Sequence, residues 1–307
     1  MSGLETVPLH GSRIPRRTQP STITVSSAVH ENVGCVSYAA QTTFTRAFKE
    51  KRGAGEPMSS ARASNPLCVA LDVPSWREAE AIVGEIGDLV GVFKVGMELF
   101  TGEGPRIVEM IHRSGSRVFL DLKYHDIPNT VAGAIRSATR LGVFLVDVHA
   151  SGGTEMMRAA AGAAADEAAR IGTERPRLLA ITVLTSLTAE MLRDEVHVGT
   201  PLPEQVVSLA KLAQECGMDG AVASPLEITT IRQACGQSFI ILTPGIRPRG
   251  ARADDQQRMT TPGEAIERGS NFIVVGRPIL RAGDKRAACE AILAEIAGAT
   301  SALRAQP

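Results

Sequence analysis

Residues 118–130 read V-F-L-D-L-K-Y-H-D-I-P-N-T, an apolar run that gives way to Asp121, Lys123 and Asp126. Read as a strand, its period of two places Asp121 and Lys123 on one face and Val118, Leu120 and Leu122 on the other. A carboxylate and an ammonium then leave the strand side by side. Pro128 has no N–H to give to a ladder and suits the first turn of a helix, so a new element is predicted to begin just after Asp126. The charges therefore stand at a strand-to-helix turn. Taken alone, they also fit a solvated ion pair at a strand end, with Asp126 capping the helix that follows. The rest of the chain decides between the two.

Outward from this stretch, similar apolar runs recur at 67–72, 91–96, 144–150, 178–185, 220–224, 239–245 and 271–276, which with 117–123 makes eight. Segments of helical composition separate them, at 76–87, 104–113, 130–141, 153–171, 204–216 and 225–234, with one more closing the chain from 285. Strands apolar on both faces and joined by helices belong to a parallel sheet covered on both sides. Eight such units suggest closure. The span 58–307 matches the roughly 250 residues of a (β/α)8 TIM barrel, so the predicted fold is α/β with a single barrel. An open doubly wound sheet would want a Gly-rich dinucleotide fingerprint after its first strand. Here the first strand runs into L-D-V-P-S-W, residues 71–76.

Catalytic groups of such barrels collect at the carboxyl ends of the strands. The eight runs close, in order, on Asp72, Lys94, Asp121 with Lys123, His149, Thr185, Ser224, Pro244-Gly245 and Gly276-Arg277. Each has an ordinary explanation by itself: Thr185 and Ser224 as caps, Asp72 as a turn former, His149 as a satisfied core histidine. Polar residues at all eight ends predict a common cavity. Gly276 allows close backbone approach and Arg277 offers a charged fork at the strand where barrel phosphate sites commonly lie. The segment after the seventh run, P-G-I-R-P-R-G-A-R-A-D-D-Q-Q-R at 244–258, is polar and long for a compact domain. It reads as a lid, with Arg247 and Gln256 reaching over a bound anion and Gly245 and Gly250 as bends.

Charge is balanced, 33 basic against 33 acidic residues, which gives no support to bulk binding of nucleic acid or a membrane surface. No apolar stretch approaches the roughly 18 residues needed to span a bilayer. Cys35, Cys68, Cys216, Cys235 and Cys289 are odd in number and scattered, as expected of reduced thiols in a cytoplasmic protein. No histidine spacing suggests a metal site, and no nucleophile elbow is present. The chemistry is left to Lys and Asp. Residues 1–66 are rich in Ser, Thr, Arg and Gly without sustained periodicity. They are read as a disordered N-terminal extension to a barrel at 67–307, with Met58 as the true start. Their Arg and hydroxyl content resembles an organelle-targeting peptide, but Glu5, Glu31, Glu50 and Glu56 count against that.

With these features assembled, the chain closely resembles the orotidine 5′-phosphate decarboxylase family from Leu67 to the C-terminal helix. F-L-D-L-K-Y-H-D-I-P-N-T-V fits the family signature D-x-K-x-x-D-I-x-x-T at every fixed position. F-K-V-G-M-E-L-F, V-H-A-S-G-G, T-V-L-T-S, P-G-I-R-P, D-D-Q-x-R-x-x-T-P and G-R-P-I follow in the family's order. The resemblance implies conversion of orotidine 5′-monophosphate to uridine 5′-monophosphate and CO2, the last step of de novo pyrimidine synthesis, without metal or cofactor. It implies Lys123 as proton donor to C6 and Asp121 beside the substrate carboxylate, with Lys94 and Asp126 completing a line of alternating charges. Asp72 and Lys94 would hold the ribose hydroxyls, Thr185 would lie near the nucleotide, and Arg247, Gln256, Gly276 and Arg277 would grip the phosphate. It further implies a homodimer in which Asp126 and Thr130 enter the neighbouring site. Sugar-phosphate decarboxylases and synthases of the same superfamily share a D-x-K-x-x-D core but use magnesium; the H-D-I-P-N-T continuation and the P-G-I-R-P segment argue against them. A nucleotide-binding barrel without catalysis should lack one of the charges, and none is lacking.

Magnitudes bear on the mechanism so implied. Two like charges about 4 Å apart repel by roughly 4 kcal/mol at an effective dielectric near 20. Strongly accelerated reactions need up to about 20 kcal/mol. Pressure of Asp121 on a substrate carboxylate is therefore too small, and stabilisation of the developing C6 carbanion by Lys123 has to supply more.

Overall fold

Eight parallel strands pair in chain order and close, β8 against β1: β1 (Leu67–Ala70), β2 (Val92–Gly96), β3 (Arg117–Tyr124), β4 (Leu145–His149), β5 (Arg177–Ile181), β6 (Gly220–Val222), β7 (Ile240–Thr243) and β8 (Phe272–Val275). The computed structural model describes residues 64–248 and 260–304. Of the extension predicted at 1–66, residues 1–63 with the start at Met58 lie outside the described residues, as do the expectations for Gly250 and Gln256; Asn65 is ordered against Leu67 and Leu89. The fold is the (β/α)8 TIM barrel that the eight runs predict.

Burial on both faces follows from the alternation along each strand. In β1, Leu67 and Val69 enter the layer between sheet and helices, while Cys68 and Ala70 point into the barrel. Phe119, Leu145, Leu179, Leu242 and Val274 fill the same interior. The barrel is thus plugged with side chains below its mouth, as expected for eight strands. β6 lies so close to β7 that a Cβ on Gly220 would stand 2.1 Å from the Ile240 carbonyl oxygen, so only glycine fits there.

Helices cover the outside: α1 (Trp76–Ile86), α2 (Met97–Glu103), α3 (Arg106–Arg113), α4 (Pro128–Arg140), α5 (Gly153–Ile171), α6 (Ala189–Asp194), α7 (Leu202–Glu215), α8 (Ile228–Cys235), α9 (Pro262–Glu267), α10 (Arg277–Leu280) and α11 (Lys285–Arg304). Pro128 opens α4 in its first turn, as predicted. Ser75 caps α1 by accepting the Glu78 N–H, and Gly172 ends α5 in the left-handed conformation. The short helices α2, α6, α9 and α10 were not predicted, because pieces of four to seven residues carry too little periodicity. The fifth run also proves shorter than its apolar stretch, since β5 stops at Ile181 and Thr185 stands four residues beyond it in a loop.

Candidate active site

The mouth of the barrel is organised by Asp121. β3 carries its carboxylate inward, where it is 7% exposed and meets two ammonium groups. Lys94, from β2, lies 3.1 Å from its Oδ2, and Lys123 is hydrogen-bonded to its Oδ1. Lys94 also reaches Asp72 Oδ1 at 3.0 Å, just past the end of β1, so the charges run Asp72, Lys94, Asp121, Lys123. A Cβ on Gly96 would stand 3.2 Å from the Lys94 nitrogen; glycine leaves the ammonium its room.

Burial acts to raise the Asp121 carboxyl, but the charge of Lys94, a hydrogen bond with Asp147 and the charge of Lys123 outweigh it and bring the pKa down to about 2. Burial likewise works against the Lys94 charge, and Asp121 and Asp72 overcome it, so its pKa rises. Ion pairs this far from water hold only when each charge has close partners; Asp121 has one on each oxygen.

Lys123 does not follow the simple alternation. Between Leu120 and Tyr124 the register of β3 against β4 shifts, and Lys123 adopts φ 50°. Such a left-handed conformation costs a side-chain-bearing residue about 1–2 kcal/mol, and its main-chain N–H leaves the ladder to meet Asp147 Oδ1 at 2.8 Å. The predicted pairing of Asp121 and Lys123 is present, reached through a bulge.

A cavity of about 260 Å³ opens above these charges. Asp72, Lys94, Asp121 and Lys123 line it together with Thr185, Gly245, Arg247, Gly276 and Arg277. Gly245 turns the chain with φ 81° at the end of β7, and Arg247 behind it is 9% exposed. The chain on either side of 249–259 is tied by the Arg247 N–H to the Thr260 carbonyl at 3.0 Å. Two of the eight strand ends predicted to share the cavity carry polar residues that do not line it. Ser224 is fully buried, and its main-chain N–H donates to Glu227 Oε2 at 2.9 Å; its hydroxyl does not cap the following helix, whose N-cap residue is Glu227. His149 is half-buried against His125, their rings 5.3 Å apart. Asp126 and Thr130 also stand outside this cavity, in a run of exposed residues from 125 to 130. Among the described residues no group of three or more His, Cys, Asp or Glu side chains is placed to hold a metal ion.

Asp147 and Gly96 were missed in the sequence. A charged residue inside the apolar run L-V-D-V-H was the available signal for the first; nothing marked the second, whose role depends on where Lys94 points.

The pattern described as the Orotidine 5′-phosphate decarboxylase / HUMPS family matches residues 65–292. A protein of Moorella thermoacetica named orotidine 5′-phosphate decarboxylase is 50% identical over 241 residues, 78% of this chain and 96% of that one. One of the same name from Pelobacter propionicus is 52% identical over 239 residues, 78% of this chain and 98% of its own. The crystal structure of orotidine 5′-phosphate decarboxylase from Lactobacillus acidophilus superposes with a TM-score of 0.67 at 41% identity, covering 76% of this chain and 99% of that one.

Proposed function

Since the chain belongs to the orotidine 5′-phosphate decarboxylase / HUMPS family, we propose that its barrel mouth removes CO2 from orotidine 5′-monophosphate to give uridine 5′-monophosphate, with Lys123 delivering the proton to C6. The reaction belongs to pyrimidine biosynthesis and the enzyme is a carboxy-lyase. As the C6–carboxylate bond breaks, its electron pair stays on C6, next to the Lys123 ammonium, and takes a proton from it. A preorganised positive charge at the atom where negative charge develops is the form of stabilisation that costs no reorganisation during the reaction. Asp121 fixes that ammonium and lies beside the leaving carboxylate. Lys94 and Asp72 hold the ribose hydroxyls, and Thr185 lies near the nucleotide. Arg247, Gln256, Gly276 and Arg277 take the phosphate, whose binding energy orients the ring from a distance. The observation that carries this reading is the row Asp72, Lys94, Asp121, Lys123 lining one cavity together with Arg247 and Arg277.

A homodimer belongs to the same proposal. Asp126 and Thr130 are exposed and do not line their own cavity, and Ile127 beside them is 67% exposed, which suits a surface completed by a second copy. So does a cytoplasmic setting, which the four described cysteines, buried and free, support. No helix among the described residues is long and apolar enough to cross a membrane. Residues 67–307 are taken to hold the whole catalytic unit.

The test is a spectrophotometric assay with orotidine 5′-monophosphate, with and without EDTA. Turnover is expected to survive the chelator; strict dependence on a metal would overturn the assignment. Lys123→Ala is expected to lose turnover while still binding a tight uridylate analogue, and near-normal turnover in that variant would remove Lys123 as proton donor.

A further inference from the structure

Asp147 is the one acidic residue on β4, and the strand turns it inward on the face that holds Leu145 within the barrel. It is 0% exposed. Opposite it, β3 is irregular. Phe119 pairs with Leu145 and Leu120 with Val146, but the next pair is Tyr124 with Val148, so residues 121–123 bulge across from Asp147 alone. Within that bulge Lys123 has φ 50°, and its N–H, which has no main-chain acceptor on β4, is accepted by Asp147 Oδ1 at 2.8 Å.

We infer that Asp147 is a positioning residue for the decarboxylation: its carboxyl replaces the missing main-chain acceptor and holds Lys123 in the left-handed turn from which the ammonium reaches Asp121 and the cavity. The inference rests on Lys123 being the proton donor. An unsupported bulge of this kind would relax toward an ordinary ladder, and the side-chain direction of Lys123 would change with it. The acceptor has to come from a side chain because the bulge displaces β3 from the carbonyls of β4.

The chemistry of the carboxyl fits this task. Burial first, and the neighbouring Asp121 charge second, push the Asp147 pKa upward and favour its neutral form. Its Oδ2 has no partner at full hydrogen-bond geometry, yet it lies near enough to Asp121 for the two carboxyls to influence each other. A neutral group accepts the Lys123 N–H without adding a second anion beneath Asp121. A second anion there would draw the Lys94 and Lys123 ammoniums down, away from a substrate above them.

Two substitutions separate the possibilities in the full-length protein. Asp147→Asn keeps a neutral oxygen acceptor in the same place, and its kcat is expected to stay within about threefold of the wild type. Asp147→Leu fills the same space without an acceptor and leaves the Lys123 N–H without its partner, which costs stability as well as position. Its kcat is expected to fall about 100-fold, the cost of misplacing a catalytic group by about 1 Å. KM is expected to hold within about threefold, because the phosphate and ribose contacts are untouched. Full kcat in Asp147→Leu, an equal loss in Asp147→Asn, or a KM rise in step with the kcat loss would overturn the inference. Should Asp147→Leu fail to fold, Asp147→Asn decides alone: retained kcat supports a neutral acceptor, and a tenfold loss excludes it. Lys123→Ala measured alongside keeps the two proposals apart. Turnover in that variant would sink the proton-donor assignment, whereas an inactive Lys123→Ala beside a fully active Asp147→Leu would sink only the role of Asp147.

Discussion

Asp121 holds Lys94 and Lys123 at once, one on each carboxylate oxygen, and so sets the spacing of the two ammoniums that face the cavity. Its partners keep it ionised down to a pKa of about 2, so its loss of charge does not produce the acid limit of activity near neutral pH. His149 is the group here that titrates closer to neutrality. Burial, then His125 and Lys123, lower its pKa below the usual 6.5, against a weaker upward pull from Asp121. The unfolded chain therefore binds this proton more readily than the folded one. The stability that this difference contributes is complete above about pH 6.5 and is lost as the pH falls toward the folded pKa. The thermal midpoint should drop between pH 7 and pH 5, and His149→Asn should flatten that drop in a fluorimetric melt; an unchanged slope would assign the effect to another group. The charges at the strand ends were legible in the sequence because each interrupts or ends an apolar run. Asp147 was not, since a single acid between two valines gives no sign of what lies opposite it on another strand.

Elements differ in how they declare themselves. α4 was legible to within two residues of the predicted segment 130–141, because Pro128 can begin a helix but not continue one. The bulge in β3 was not, because register is a property of the pairing with β4 and not of β3 itself. α9 is only six residues long and is held at its start by a capping box, with Thr261 Oγ1 accepting the Glu264 N–H and Glu264 accepting the Thr261 N–H. Thr260 adds a hydrogen bond to Glu264 Oε2 at 2.6 Å, in the residue whose carbonyl ties back to Arg247. Thr261→Ala should cost about 1 kcal/mol, a fall of about 2–4 °C in melting temperature for a domain of this size. If that helix steadies Arg247, the same variant should also raise KM; an unchanged melt would show that the box contributes little.

For the molecule as a whole, the exposed run from 125 to 130 is the surface on which a second copy would act. In the proposed homodimer each site takes Lys123 from one copy and Asp126 and Thr130 from the other. A Lys123→Ala chain and an Asp126→Ala chain should each be inactive alone. Mixed and allowed to exchange, they should form hybrids in which one of the two sites is intact, restoring up to about a quarter of wild-type activity in a randomly assorted closed dimer. No recovery, with exchange confirmed by a tagged subunit, would count against a shared site.

By itself, the sequence determined the barrel and the face on which the chemistry sits. Eight short runs apolar on both sides can satisfy their burial only in a covered parallel sheet, and the polar residues that end them then collect at one rim. Only the tertiary structure decided which of those residues share the cavity: Asp72, Lys94, Asp121, Lys123 and Thr185 line it, while His149 and Ser224 do not. It also decided that Asp147 backs Lys123. These outcomes depend on register, twist and the bulge between β3 and β4. They arise between strands far apart in the chain, where the local pattern of residues has no influence on the partner it will meet.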